Sequence, residues 1–121
     1  MKDGFLRVAC ATPEIKVADC ENNANNIIEL IEEANNNETS LIVFPELCIT
    51  AYTCNDLFYQ NELLDSAISA MFKITDSTKN MDTISIVGLP VKKSAELYNC
   101  AAVIYHGEIL ALIPKTHLPN Y

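Results

Sequence analysis

At 121 residues, 50% hydrophobic, 20% charged and 7% aromatic, the chain has the composition of one folded domain at most and not of a disordered segment. Its 16 acidic residues against 8 basic ones give a net charge of -8, and Arg7 is the only arginine. Such a surface repels nucleic acid and anionic membranes, which argues against a phosphate-tracking or nucleic-acid-reading module.

The amino terminus, MKDGFLRVACA, carries an acid early and too short an apolar run for a signal peptide. No stretch approaches the roughly 18 apolar residues of a membrane span. FLRVACA (5–11) predicts a first strand, rich in apolar and β-compatible residues. NNANNIIELIEEANNN (22–37) has helical periodicity: Ala24, Ile27, Ile28, Ile31 and Ala34 share one stripe, with Glu29, Glu32 and Glu33 displaced from it. The asparagines at 35–37 predict its end. TSLIVF (39–44) is a short continuous apolar run, the pattern of a strand buried on both faces. Strand, helix and strand at this spacing form a βαβ unit with parallel strands and a right-handed crossover.

NELLDSAISAMFKIT (61–75) places Leu64, Ala67, Ile68, Met71 and Ile74 on a second helical face. TISIVGLP (83–90) predicts a further buried strand closed by Gly88 and Pro90. LYNCAAVIYHGEILALIPK (97–115) then predicts two strands joined at Tyr105-His106-Gly107-Glu108, where glycine supplies the positive φ of a tight hairpin turn. Two helix-bearing crossovers followed by a hairpin imply an α/β mixed sheet with helices on at least one face. THLPNY is loop-like. A sheet of this width leaves apolar surface uncovered, so the expectation is either a small oligomeric domain or the front part of something larger.

The five cysteines (Cys10, Cys20, Cys48, Cys54 and Cys100) are odd in number and contain no C-x-x-C, and the two histidines lie far from any cysteine pair. Neither a disulfide framework nor a zinc site is expected. Cys10, Cys48 and Cys100 sit in or beside apolar stretches, where a thiol behaves as a small hydrophobe. The Asn37-Glu38-Thr39 sequon, without a secretory signal, is read as chance. A reduced cytoplasmic setting is expected.

In LIVFPELCITAYTCNDLF (41–58) a carboxylate, Glu46, stands where an apolar strand stops. In open α/β sheets ligands bind beyond the carboxyl ends of the strands. Glu46 has that position, with Pro45 stiffening the backbone before it. Lys115 is placed in the same way after ALIP (111–114). If both strand ends converge on one edge, a carboxylate and an ammonium meet there, each stabilising the other's charged form. A glutamate or lysine after a strand is also an ordinary solvated loop residue. Periodicity alone does not choose between these readings.

LIVFPELCITAY, the preceding amphipathic helix and PKTHLPNY together resemble the amino-terminal part of a nitrilase-superfamily carbon–nitrogen hydrolase. TAYTCNDLF after the glutamate and KTHLPNY after the lysine narrow the resemblance to the glutaminase domains of glutamine-dependent NAD synthetases. The resemblance covers essentially the whole chain, and FPEL alone is shared across the superfamily. It implies an α-β-β-α sandwich of which residues 1–121 would be the incomplete amino-terminal part, without the synthetase domain. It further implies a Glu–Lys–Cys triad in which a thiol attacks the amide carbon of glutamine. Ammonia leaves a thioester that water hydrolyses. Glu46 matches the general base, Lys115 the lysine that stabilises the oxyanion, and Tyr121 and Tyr52 match aromatic residues at the glutamine pocket. Ala51 stands where the family usually has glycine, and Asn55 where a small residue is common.

The family's nucleophilic cysteine lies well beyond the lysine, and none of the five cysteines matches it. Cys48 and Cys54 are read as packing and loop thiols. The 121-residue chain alone is therefore expected to release no ammonia from glutamine. The three glycines, Gly4, Gly88 and Gly107, are isolated and form no phosphate-cradling loop. No cofactor or metal is expected here. ATP, magnesium and the deamido-NAD precursor are implied only for a synthetase domain, which, with glutamine and further copies of the same protein, makes up the implied partners. A stand-alone amidase or carbamoyl hydrolase, a non-catalytic assembly module and a flavodoxin-like domain are the competing readings.

Overall fold

A computed structural model describes residues 4–51 and 60–115. The elements run β1 (Val8–Cys10), α1 (Cys20–Asn36), β2 (Leu41–Val43), α2 (Asn61–Ser77), β3 (Ile84–Lys93), β4 (Glu96–Tyr105) and β5 (Glu108–Pro114). The five strands form one sheet in sequential order, β1-β2-β3-β4-β5. The first two pairings are parallel and the last two antiparallel. The expected α/β mixed sheet is therefore present, with a three-stranded meander where the sequence predicts a single hairpin.

Both helices face as their sequences dictate. Asp19 caps α1, its carboxylate accepting the Asn22 N–H at 3.1 Å, so the helix starts two residues before the expected position. Its buried residues are Cys20, Asn23, Ala24, Ile27, Ile31 and Ala34, with Ile28 half-buried at the stripe's margin. α2 buries Leu63, Leu64, Ala67, Ala70, Met71, Ile74 and Thr75. The two helices pack on each other and on one face of the sheet, as two successive right-handed crossovers in one direction require. Ile42, Val87, Leu89, Cys100, Ala102 and Ile104 are the sheet's contribution to that core.

Register puts the alternate residues on the opposite face. Val8, Leu41 and Ile84 are cross-strand neighbours there, as are Cys10, Val43, Ile86 and Val103. Among the described residues no element covers them, and they are exposed or half-buried. Leu41–Val43 is thus fully buried on one face only, and Cys10, expected in a strand core, is exposed on the edge strand.

β3 runs past the two residues expected to close it. Gly88 directs its N–H and C=O away from β4, to Cys48 Sγ at 3.4 Å and the Ile49 N–H at 3.1 Å. Strand alternation gives Pro90, two residues on, the same orientation. Its missing N–H therefore costs the β3–β4 ladder no bond, and Pro90 pairs with Asn99 in register. The β4–β5 turn is as expected: His106 and Gly107 have φ of 50° and 76°, the two positive values of a type I′ turn. Gly107 N–H donates to Thr78 Oγ1 at 3.0 Å, fastening the hairpin to the end of α2.

Candidate active site

Glu46 leaves the carboxyl end of β2 in a tight turn, residues 45–51, whose conformation is set from three sides. Within the turn, Cys48 N–H donates to Pro45 C=O at 3.2 Å and Ala51 N–H to Leu47 C=O at 2.9 Å. β3 holds it through the Ile49 N–H and the Cys48 thiol, both at Gly88. From α1 the fully buried Asn23 donates its Nδ2 to Ile49 C=O at 2.9 Å and to Lys16 C=O at 2.8 Å, while its Oδ1 accepts the Lys16 N–H at 2.7 Å. One buried amide thus ties the β1–α1 loop to the turn that carries Glu46.

The turn lies directly on β3. A Cβ at Gly88 would come 2.4 Å from Leu47 N, 3.0 Å from Pro45 O and 3.1 Å from the Glu46 carbonyl carbon. All three are backbone atoms, so only glycine allows this approach. Leu47 and Ala51 have φ of 55° and 78°. Ala51 therefore carries an alanine in the left-handed region where the family usually has glycine, at a cost of about 1–2 kcal/mol.

Lys115 follows β5, its backbone N–H donating to Asn99 C=O at 2.9 Å. Its Nζ lies 3.0 Å from Glu46 Oε1 across a sequence separation of 69 residues. Asn99 Nδ2 donates to the same oxygen at 2.5 Å. The two proline-plus-charge strand ends therefore meet, a convergence that the sequence itself left open. Alternation along β3 and β4 puts Gly88 and Asn99 on the face opposite the helices, so the pair stands at the strand ends on the sheet's uncovered side.

Of the other expected site residues, Tyr52 and Tyr121 lie outside the described residues, as do Asn55 and Cys54. Cys48 is buried with its thiol against the Gly88 backbone, and burial pushes that thiol up to about 11. It is a packing group, since a nucleophile needs its thiolate. Burial also pushes the Cys100 thiol upward. Among the described residues no three His, Cys, Asp or Glu side chains gather as a metal site would require, and no helix is long and apolar enough to cross a membrane.

Sequence reasoning missed Asn99 and Asn23. Both carried a signal: Asn99 interrupts the strand run LYNCAAVIY, and Asn23 lies four residues before Ile27 on the apolar stripe of α1. A polar amide at a core or strand position needs partners, and the partners are the site's own loops.

A family model for carbon-nitrogen hydrolases matches residues 7–121. The glutamine-dependent NAD(+) synthetase of Aquifex aeolicus is 37% identical over 117 residues, covering 97% of this chain and 20% of that protein. That of Mycobacterium tuberculosis H37Rv is 31% identical over 118 residues, covering 98% of this chain and 17% of the relative. The chain thus spans about a fifth of the length of such relatives. Among solved structures, a glutamine-dependent NAD(+) synthetase from Cytophaga hutchinsonii superposes with a TM-score of 0.88 at 35% identity, over 95% of this chain and 20% of that one. An amidase from Nesterenkonia sp. shares the fold, with a TM-score of 0.79 at 22% identity, over 100% of this chain and 46% of its own. With the match running from before β1 to the last residue and taking in Glu46 and Lys115, this chain belongs to the carbon-nitrogen hydrolase family.

Proposed function

We propose that this chain supplies the general base and the cationic group of a glutamine-hydrolysing site, and that the ammonia formed feeds the ATP-dependent amination of deamido-NAD by a synthetase domain of the same protein. The observation that carries the reading is the Glu46–Lys115 contact, 3.0 Å between groups 69 residues apart, inside a fold shared with glutamine-dependent NAD(+) synthetases. Glu46 takes the proton of an attacking thiol, and the amide carbon of glutamine becomes tetrahedral. Lys115 supplies the positive charge that stabilises the oxyanion, and an ammonium held in advance of the reaction lowers the barrier. The proton then passes to the leaving nitrogen, and water hydrolyses the thioester.

The attacking cysteine belongs, by the resemblance, to a strand farther along the protein, since Cys48 is held as a neutral buried thiol. The 121-residue chain by itself is accordingly proposed to be inactive. Tyr52 and Tyr121 are proposed to contact the substrate glutamine. ATP, magnesium and deamido-NAD are assigned to the synthetase domain, in a cytoplasmic homo-oligomer. A stand-alone amidase would share the Glu–Lys pair, but identities of 27–37% to NAD(+) synthetases against 22% to the amidase favour the glutaminase. The test is ammonia release from glutamine by the complete gene product. Glu46→Gln and Lys115→Ala should each lower kcat by about 100-fold or more, the usual scale for removing a proton-transfer group or an oxyanion donor. Release at the wild-type rate in either variant would refute the assignment.

A further inference from the structure

Two donors share one oxygen of Glu46. Lys115 Nζ and Asn99 Nδ2 both point at Oε1, and Oε2 has no partner among the described residues. Only the NH2 end of the Asn99 amide can donate to a carboxylate, so chemistry fixes its orientation. Asn99 acts twice, because its backbone C=O also accepts the Lys115 N–H. One residue of β4 therefore holds the glutamate through its side chain and the lysine through its main chain. Asparagine is disfavoured in strands, and this one is half-buried opposite Pro90, next in line to the Gly88 contact. A purely structural residue at this point would be apolar or β-branched, like its neighbours Leu97, Ala101 and Val103.

We infer that Asn99 is a positioning residue for the Glu46 carboxylate: by engaging Oε1 together with Lys115, it fixes the rotation of the carboxylate and leaves Oε2 as the oxygen that exchanges the proton. The lysine alone would not do this. An ammonium on a flexible four-carbon stem follows a rotating carboxylate, whereas an amide on a strand defines one direction. The inference rests on the glutaminase reading for its chemical meaning, but its geometry does not.

The experiment uses the complete gene product carrying Asn99→Asp, Asn99→Ala, Glu46→Gln and the Asn99→Ala/Glu46→Gln pair. Asn99→Asp keeps the shape and backbone bond but replaces the donor by a second carboxylate. It should lower kcat for glutamine at least about 100-fold, with KM changed less than about threefold, as expected for a group acting on the proton-transfer step. Asn99→Ala should lower kcat about 10-fold or more alone and add nothing in the Glu46→Gln background, the non-additivity of residues that act as a unit. Full activity of Asn99→Asp, or additive losses in the pair, would overturn the inference. A crystal structure of Asn99→Ala supplies a readout that needs no activity. The Glu46 carboxylate should rotate from its present orientation, with the Lys115 ammonium following it on its flexible stem. An unmoved carboxylate would refute the positioning role. Wild-type protein inert toward glutamine, with the carboxylate rotating as expected, would instead refute the glutaminase reading and leave the positioning role standing.

Discussion

Glu46 and Lys115 hold each other at 3.0 Å, yet their side chains remain 38% and 44% accessible. An ion pair at that exposure contributes about 0–1 kcal/mol to folding, so stability does not explain why three segments are built to bring it together. Cys48 shows the opposite balance. It lies two residues from Glu46, but its thiol is spent on the Gly88 backbone and burial pushes it up to about 11. At pH 8 the native protein should therefore alkylate at exposed Cys10 with iodoacetamide and leave Cys48 unmodified until denaturant is added, as peptide mass mapping would show. Labelling of native Cys48 as fast as Cys10 would contradict this. The pH dependence follows from the same shift. The unfolded thiol ionises near the ordinary 9.0, below the folded value, so the unfolded state binds fewer protons between pH 9 and 11. Stability should fall with rising pH in that window, by up to about 1.4 kcal/mol per unit for this one group. Cys48→Ala should flatten the slope, and an unchanged slope in the variant would rule Cys48 out as its source.

The turn at 45–51 is where element geometry becomes site geometry. Glycine is obligatory at 88 because the Glu46 backbone crosses it, and a left-handed residue is required at 51. Two substitutions on this contact should therefore act in opposite directions. Gly88→Ala forces backbone apart and should destabilise the protein by about 1–3 kcal/mol, the cost of overpacking, while displacing Glu46 and lowering activity. Ala51→Gly relieves the left-handed strain against a larger unfolded-state entropy, and should leave stability unchanged or raised by up to about 1 kcal/mol. Urea midpoints measure both, and a stable Gly88→Ala or a strongly weakened Ala51→Gly would show that the turn is not held as described. The strain at Ala51 was legible in the sequence, because the family pattern marks that position. The closeness at Gly88 was not: a lone glycine two residues before a proline reads as the end of a strand, and only the packed turn explains its presence inside one. Asn99 escaped for a related reason, since its partners are 53 residues away in one direction and 16 in the other.

At the scale of the whole chain, the periodic segments carried the fold. Both helical stripes and the His106-Gly107 turn were readable because their signals are local. The antiparallel pairing of β3 with β4 was not, because the Ser94-Ala95 connection carries no glycine to announce it, Ser94 itself adopting φ 58°. LIVF reads as buried on both faces, yet helices cover only one, and Val43, Ile86, Val103 and Ile113 stay accessible on the other. An apolar face of this kind drives association when nothing covers it. The isolated 121-residue chain should bind ANS and sediment as more than a monomer, with Val43→Lys and Ile86→Lys reducing both. A monomer with low ANS fluorescence would contradict that.

Glu46, held beside Lys115, is proposed as the base of a glutamine amide hydrolysis. The most direct measurement is ammonia released from glutamine by the complete gene product and its Glu46→Gln variant, assayed side by side with matched folding. Steady release is expected from the first and at least about a 100-fold lower rate from the second. Equal rates, or no release by the wild-type protein, would contradict it.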